Sequence, residues 1–261
     1  MRLLYYLKIW IYLTKISFLS VINQRGSIII FLFGKVLRFT FFYLFIYFLI
    51  DGVGNLASYN KNEVLFFLLT FNLLDVFTQL IYRDVYRFRP LVVSGGFDLV
   101  LTKPISSLFR SMFGGADVID FLTLPPLMII TALVGVTLEP TTSEIILYLL
   151  LLANGFLIAT AFHISVLALG IITLEIDHVI MIYRDTVALG RLPIDIYKEP
   201  LKGILTFIIP VALMVSVPAK VLMGLSSPDT LLIALLFGVI FFVSSLQLWK
   251  FALKYYTSAS S

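Results

Sequence analysis

The chain has 261 residues, 60% of them hydrophobic and 13% charged, with a mean hydropathy of +1.04. A soluble domain is roughly 45–50% apolar and about 25% charged, so the composition excludes a water-soluble fold and points to an integral membrane protein. The formal charge of +4 fits cytoplasmic loops rather than nucleic-acid binding, and the absence of cysteine removes disulfides, thiolate catalysis and iron–sulfur clusters.

The first element, residues 1–27, is expected to be an amphipathic helix lying in the membrane plane. Arg2, Lys8 and Lys15 recur at six- and seven-residue spacing and share a face, and Tyr5, Tyr6, Trp10, Tyr12 and Phe18 supply interfacial rings. A signal peptide is the alternative. Lys8 and Lys15 interrupt its apolar core, and no small-x-small cleavage site follows.

Residues 28–261 read as one all-α, polytopic membrane domain. A spanning helix needs roughly 20 apolar residues. Such runs occur at 36–50, starting a turn earlier, then at 63–82, 117–136, 144–174 and 231–249. Lysine and arginine gather before the first span, in the 83–110 loop and after the last span, which places both termini and that loop in the cytoplasm. Two termini on one side require an even number of spans, hence six.

The remaining stretch, 175–222, allows two readings. In one, 175–202 is a cytoplasmic loop carrying Arg184, Arg191, Lys198 and Lys202, and 204–222 is the fifth span. In the other, the fifth span is 178–192, and the proline-rich part after it is a pair of half-helices dipping back from outside. Pro210 and Pro218 each lack a backbone donor, which suits broken helices.

Several positions carry chemistry. In the loop after the second span, Gly95 and Gly96 permit a tight turn, Asp98 can cap a short helix, and Pro104 ends it. Leu99, Val100 and Leu101 form an apolar patch between Arg89 and Lys103. Such a helix suits docking into a soluble partner; a solvated basic loop that only sets topology is the other reading. Within the second span, Asn72, Asp75 and Gln79 share a helix face. They either line a translocation path or hydrogen-bond a neighbouring helix.

His163 is expected to be satisfied by a neighbouring helix, and Glu175, Asp177 and His178 are too close in sequence to converge on a metal. With two histidines, no His-Glu-x-x-His and no Gly-x-x-x-x-Gly-Lys-Ser/Thr, neither a zinc-hydrolase site nor a phosphate loop is present. Ser94-Gly95 lacks the Gly-x-Ser-x-Gly frame of a serine nucleophile.

Arg89, then Ser94-Gly95-x-x-Asp98-x-x-Leu101-x-x-Pro104, resembles a stretch of the ABC type-2 transporter permeases, in a subgroup long carried as a family of unknown function. A second match is more specific. It runs from Gly190-Arg191-Leu192-Pro193-Ile194-Asp195-Ile196-Tyr197 through Pro210 to Pro218-Ala219 and Leu222-Met223-Gly224. The resemblance implies a membrane half of an ATP-driven exporter in the inner (plasma) membrane. It also implies a second permease, identical or homologous, and separate ATPase subunits that hold ATP and magnesium. The 83–110 segment becomes the coupling site, with Arg89, Gly95, Asp98, Leu99, Leu101, Lys103 and Pro104. The N-terminal helix becomes a connecting helix, and 193–224 a re-entrant outer gate with Pro193, Asp195, Pro210 and Pro218. Arg184-Asp185 inside the fifth span departs from an apolar crossing, since adjacent residues do not share a helix face.

The chain is thus expected to be an all-α permease of six spans with no catalytic residue, metal or cofactor of its own, passing an amphipathic or hydrophobic cargo. The alternatives are a membrane-embedded enzyme acting on lipid, and a channel or scaffold without an ATPase.

Overall fold

The computed structural model describes residues 2–22, 25–173 and 176–257. Helices α1 (Arg2–Ile22) and α2 (Arg25–Val53) lead into α3 (Lys61–Tyr82). A 3₁₀ turn, Arg83–Arg87, carries α3 on into α4 (Phe88–Val93). Two short helices follow, α5 (Gly96–Leu101) and α6 (Ser107–Met112), where the glycine and proline spacing predicts one. Long helices α7 (Val118–Val136) and α8 (Thr142–Thr173) precede α9 (Ile176–Ala188), which ends in a 3₁₀ turn, Leu189–Arg191. A bent hairpin built from α10 (Leu201–Gly203) and α11 (Val217–Leu222) follows, and α12 (Pro228–Ala252) closes the fold.

Among the described residues, five helices are long and apolar enough to cross a membrane: Gly26–Gly52, Lys61–Val93, Val118–Val136, Thr142–Thr173 and Pro228–Ala252. Three agree with the sequence-based spans to within a turn or so, and the second runs on past Tyr82 to Val93. The helix around the first span, α2, starts at Arg25 instead, because Lys35 and Arg38 lie inside the helix rather than before it. Most of α2 faces outward: Ile29, Phe33, Phe41 and Phe48 are exposed, and only Ile46 and Ile50 are buried.

The core has three layers. One end holds Ile46, Ile50, Tyr59, Val64, Phe67, Tyr148 and Leu222. The middle holds Phe71, Leu74, Leu151, Ile158, Val211–Val215 and Ala234. The far end holds Tyr82, Phe88, Phe97, Ile164, Leu167 and Trp249. Through Ile180, Val187 and Leu192, α9 and its turn touch all three layers in order. The path of α9 and its turn therefore follows all three layers.

The hairpin does not. Its two limbs, Leu201–Ile208 and Ala212–Leu222, meet at 74°, and both outer ends lie in the Tyr59 layer. The prolines explain the broken geometry. Pro218 has no N–H to give, and the turn before it, Ala212–Ser216, widens to π-helical spacing. The first limb ends in a π turn as well, Ile204–Ile208, at Ile209 and Pro210.

Helix α1 lies along the linker before α7. Ser17 Oγ donates to the Ala116 carbonyl at 3.1 Å, Thr14 Oγ1 accepts from the Ala116 N–H at 3.2 Å, and Tyr6 packs on Phe109. Gly115 makes room, since a Cβ there would lie 2.6 Å from the Leu13 carbonyl oxygen. Leu3, Leu4, Leu7 and Ile11 stay exposed beside Lys8.

The long pair α8 and α12 is fixed by a polar contact, Asn154 Nδ2 donating to the Ala234 carbonyl at 2.9 Å. Gly238 sits beneath it, where a Cβ would fall 2.0 Å from Asn154 Oδ1. Gly238→Ala is therefore expected to displace the amide and cost about 1–3 kcal/mol. Gly52→Ala, with nothing within 4 Å, is expected to leave stability unchanged or slightly higher. Thermal unfolding of both variants in detergent checks the contrast.

Candidate functional site

The polar stripe of α3 borders open space. Asp75 and Gln79 line a cavity of about 850 Å3 between α2, α3, the start of α7, α9 and the second hairpin limb. Asn72 lines only a small adjoining pocket, and its Nδ2 donates to the Leu68 carbonyl at 2.9 Å. The three do share a face, as the spacing predicts, but the large cavity reaches only two of them.

The rest of the polar wall comes from other elements. Lys35 of α2 pairs with Asp120 of α7, which is buried. Arg83 Nη1 donates to Gln79 Oε1 at 3.0 Å and lies 3.6 Å from Asp117. Both Arg184 and Asp185 line the cavity as well. Adjacent residues point about 100° apart on a helix, and the cavity is wide enough to border both, so the polar pair interrupts no lipid-facing surface.

Three guanidiniums sit over rings. Arg38 lies over Phe39 at 5.4 Å and Arg184 over Tyr86 at 5.6 Å. Arg191 is held between Phe42 and Phe71, 5.5 Å from each ring centre. The cavity extends from Arg83 and Asp117, near the Phe97 end, to Arg191 and Val215 at mid-depth. No residue of the Tyr59 layer lines it.

At the Tyr59 end, Asp195 gathers three donors. Tyr59 Oη donates to Oδ2 at 2.8 Å, Lys220 Nζ meets Oδ2 at 2.6 Å, and Lys202 Nζ donates to Oδ1 at 2.9 Å. Burial alone would raise the Asp195 carboxyl; the bonds from Lys220, Lys202 and Tyr59 outweigh it and hold it at about 2, below the ordinary 3.8. The Tyr59 hydroxyl is pushed up, by burial first and then by its bond to Asp195. A tight turn presents Tyr59: Leu56 and Tyr59 exchange two backbone bonds across Ala57 and Ser58, both at positive φ. Pro193, Pro210 and Pro218 are buried. Pro193 precedes the 3₁₀ turn Ile194–Ile196, Pro210 joins the limbs, and Pro218 opens α11.

At the opposite end, Asp98 has a different role from the helix cap that its position predicts. The residue before α5 is Gly95, left-handed at φ 72° with no side-chain cap, and Asp98 sits within the first turn. Its Oδ1 accepts from Tyr256 Oη at 2.9 Å. That hydroxyl is pushed up to about 12, by burial first and then by the bond to Asp98. Phe97 is buried against Phe88, Trp249 and Tyr256, while Leu99 and Leu101 are 66% and 42% exposed, as expected. Lys103 and Pro104 follow in the exposed link to α6. Arg89 pairs with Asp177 of α9 at 3.2 Å.

His163 differs from expectation too. Its Nδ1 meets the Ala159 carbonyl of its own helix at 2.8 Å, not a neighbouring helix, and its ring is surrounded by Tyr82, Tyr86 and Tyr183. Glu175 lies outside the described residues; among those described, no three His, Asp or Glu side chains gather as a metal site.

Sequence reasoning passed over Lys35, Arg38, Asp120, Arg191 and Lys220. A signal for the first two was available: charges inside an otherwise apolar run mark an interior-facing site rather than a loop.

Residues 36–260 match the family model of the ABC-2 family transporter proteins. No curated protein and no solved structure matches the chain. The chain belongs to the ABC-2 transporter permease family, the membrane component of ABC transporters. It is not itself catalytic, and membership implies partners of the ATPase kind.

The Asp195 cluster has a definite pH signature. A carboxylate held below its unfolded value contributes stability above about 3.8 that is lost as pH falls through about 2. Asp195→Asn is expected to lower the melting temperature at pH 7, by on the order of 3 °C for about 1 kcal/mol. The gap between variant and parent should close between pH 4 and pH 2. Melting curves across that range check it.

Proposed function

We propose that the chain is the permease subunit of an ATP-driven exporter in the inner (plasma) membrane. It pairs with a second permease, identical or homologous, and with two ATPase subunits that bind ATP and magnesium. One observation carries this reading: the polar cavity opens over the Phe97 half of the bundle and stops at mid-depth beneath the bent hairpin. In a permease of this family, that is the shape of a path closed on its outer side.

Orientation follows from charge. Lys8, Lys15, Arg87, Arg89, Lys103, Arg110, Lys250 and Lys254 gather at the Phe97 end, against Lys61, Lys198, Lys202 and Lys220 at the Tyr59 end. Lysine and arginine favour the cytoplasm, so the Phe97 end and both termini are cytoplasmic. The hairpin then enters from outside and returns, the chain crosses six times with α9 as the fifth crossing, and 193–224 forms the outer gate.

The docking surface is the exposed apolar edge of α5, ringed by Lys103 and Arg89. An ATPase groove closing on Leu99 and Leu101 would move α5. The Phe88–Phe97–Trp249 contact joins that movement to the bundle.

Two measurements test these assignments. In this cysteine-free chain, Asn60→Cys and Lys198→Cys are expected to react with an impermeant reagent from outside, and Arg89→Cys only from the cytoplasm. Lys198 is used in preference to its neighbour Tyr197, which is half-buried and bonded to the Leu189 carbonyl. Labelling of Lys198→Cys from the cytoplasm alone would return the 175–202 stretch to a loop. Secondly, Leu99→Ala with Leu101→Ala is expected to cost ATPase docking about 1–3 kcal/mol, leaving insertion and melting unchanged. Full co-purification and full transport by this double variant would place the docking site elsewhere.

A further inference from the structure

The cavity is a membrane-depth site with unbalanced charge. Of its cations, Lys35 is held by Asp120, and Arg83 is shared between Gln79 and Asp117. Arg38, Arg184 and Arg191 have neither ion pair nor hydrogen bond among the described residues; each is steadied by an aromatic ring instead. A guanidinium held over a ring keeps its in-plane N–H groups available for a two-point acceptor.

Two carboxylates, Asp75 and Asp185, also line the space without an ion pair. Three such guanidiniums against two such carboxylates leave the cavity with a net positive charge. The unmet need of this cavity is for an anion. Its volume, about 850 Å3, suits a molecule of drug or single-chain lipid size, and Phe31, Ile119, Met181 and Val187 supply apolar wall.

Resting on the permease reading of this cavity, we propose that Arg38, Arg184 and Arg191 bind the acidic headgroup of an amphipathic cargo, a carboxylate, phosphate or sulfate, with its apolar part along α2 and α9. Arg184 stands over Tyr86 toward the cytoplasmic end, and Arg191 lies at mid-depth between Phe42 and Phe71. The guanidiniums thus mark a route from entrance to gate.

The test is direct binding to the purified full chain in non-ionic detergent, without the ATPase. Two fluorescent probes share one dansyl-labelled undecyl chain; one ends in carboxylate, the other in trimethylammonium. The carboxylate probe is expected to bind more tightly, and to weaken as salt rises. Arg38→Gln and Arg191→Gln should each weaken it about tenfold, while Lys250→Gln leaves it unchanged. Asp75→Asn should strengthen it, which a merely damaged fold would not do. Arg38 is an exposed side chain on α2, so its replacement tests the site without disturbing the core.

Displacement of the probe by dodecyl phosphate supports a free acidic amphiphile as the source. Displacement by phosphatidylglycerol alone supports a membrane lipid. Equal affinity for the two probes, or binding untouched by both arginine replacements, overturns the proposal. Because no ATPase is present, that failure is separate from a failure of the exporter reading, which would appear as a chain that binds the acid and recruits no ATPase.

Discussion

Asp195 decides the course of the second half of the chain. Its carboxylate takes Lys202 from the first hairpin limb, Lys220 from the second, and Tyr59 from the loop between α2 and α3. One group bonded to both limbs holds their outer ends together at one end of the bundle. The segment from Leu201 to Leu222 is therefore bent by 74° at its break. Pro210 and Pro218 make the bend cheap by removing donors that a continuous helix would use, and Gly155 lets the returning limb touch α8, with the Met214 carbonyl where a Cβ would stand.

The second constraint is the cost of charge at membrane depth, on the order of 2.5–3.5 kcal/mol per residue on insertion scales. This chain places Lys35, Arg38, Asp75, Asp120, Arg184, Asp185 and Arg191 in that zone, and the structure brings all seven to one cavity. Their segregation leaves α2 with its polar side on the cavity and its apolar side exposed. The Lys35–Asp120 pair, with Phe39 against Leu69, Val76 and Leu127, anchors the first half of α2.

Much of this was legible in the sequence, for reasons that differ by element. Long apolar runs bounded by capping residues, such as α7 after Asp117 and α12 after Ser227, are fixed by local chemistry and came out to within a turn. The outer hairpin could be read only as one of two options, because its proline spacing does not say which bundle end receives each limb; a carboxylate–lysine contact between distant residues does. Asp98 fitted a helix cap by spacing, yet Gly95 in the left-handed region starts the helix, leaving Asp98 for Tyr256, more than 150 residues away. Counting Lys35 and Arg38 among the topology charges that precede or open the first span hid the cavity, since a charge count cannot see which cations face inward.

The same contacts define how movement at one end could reach the cavity. Helix α5 is tied to α12 through Phe97 and Trp249, and to the C-terminal tail through Asp98 and Tyr256. The preceding helix, α4, is tied to α9 by Arg89 and Asp177. Cavity residues Arg184 and Asp185 lie on that same α9, and Arg191 closes the turn after it. A push on α5 therefore has two routes into the bundle, and the one through α4 and α9 ends on the guanidiniums. Arg89–Asp177 is a half-exposed pair, with side chains 52% and 54% exposed, so it is easily broken and remade. A contact of that kind suits a joint that must slide, whereas the buried Phe88–Phe97–Trp249 packing suits one that must not.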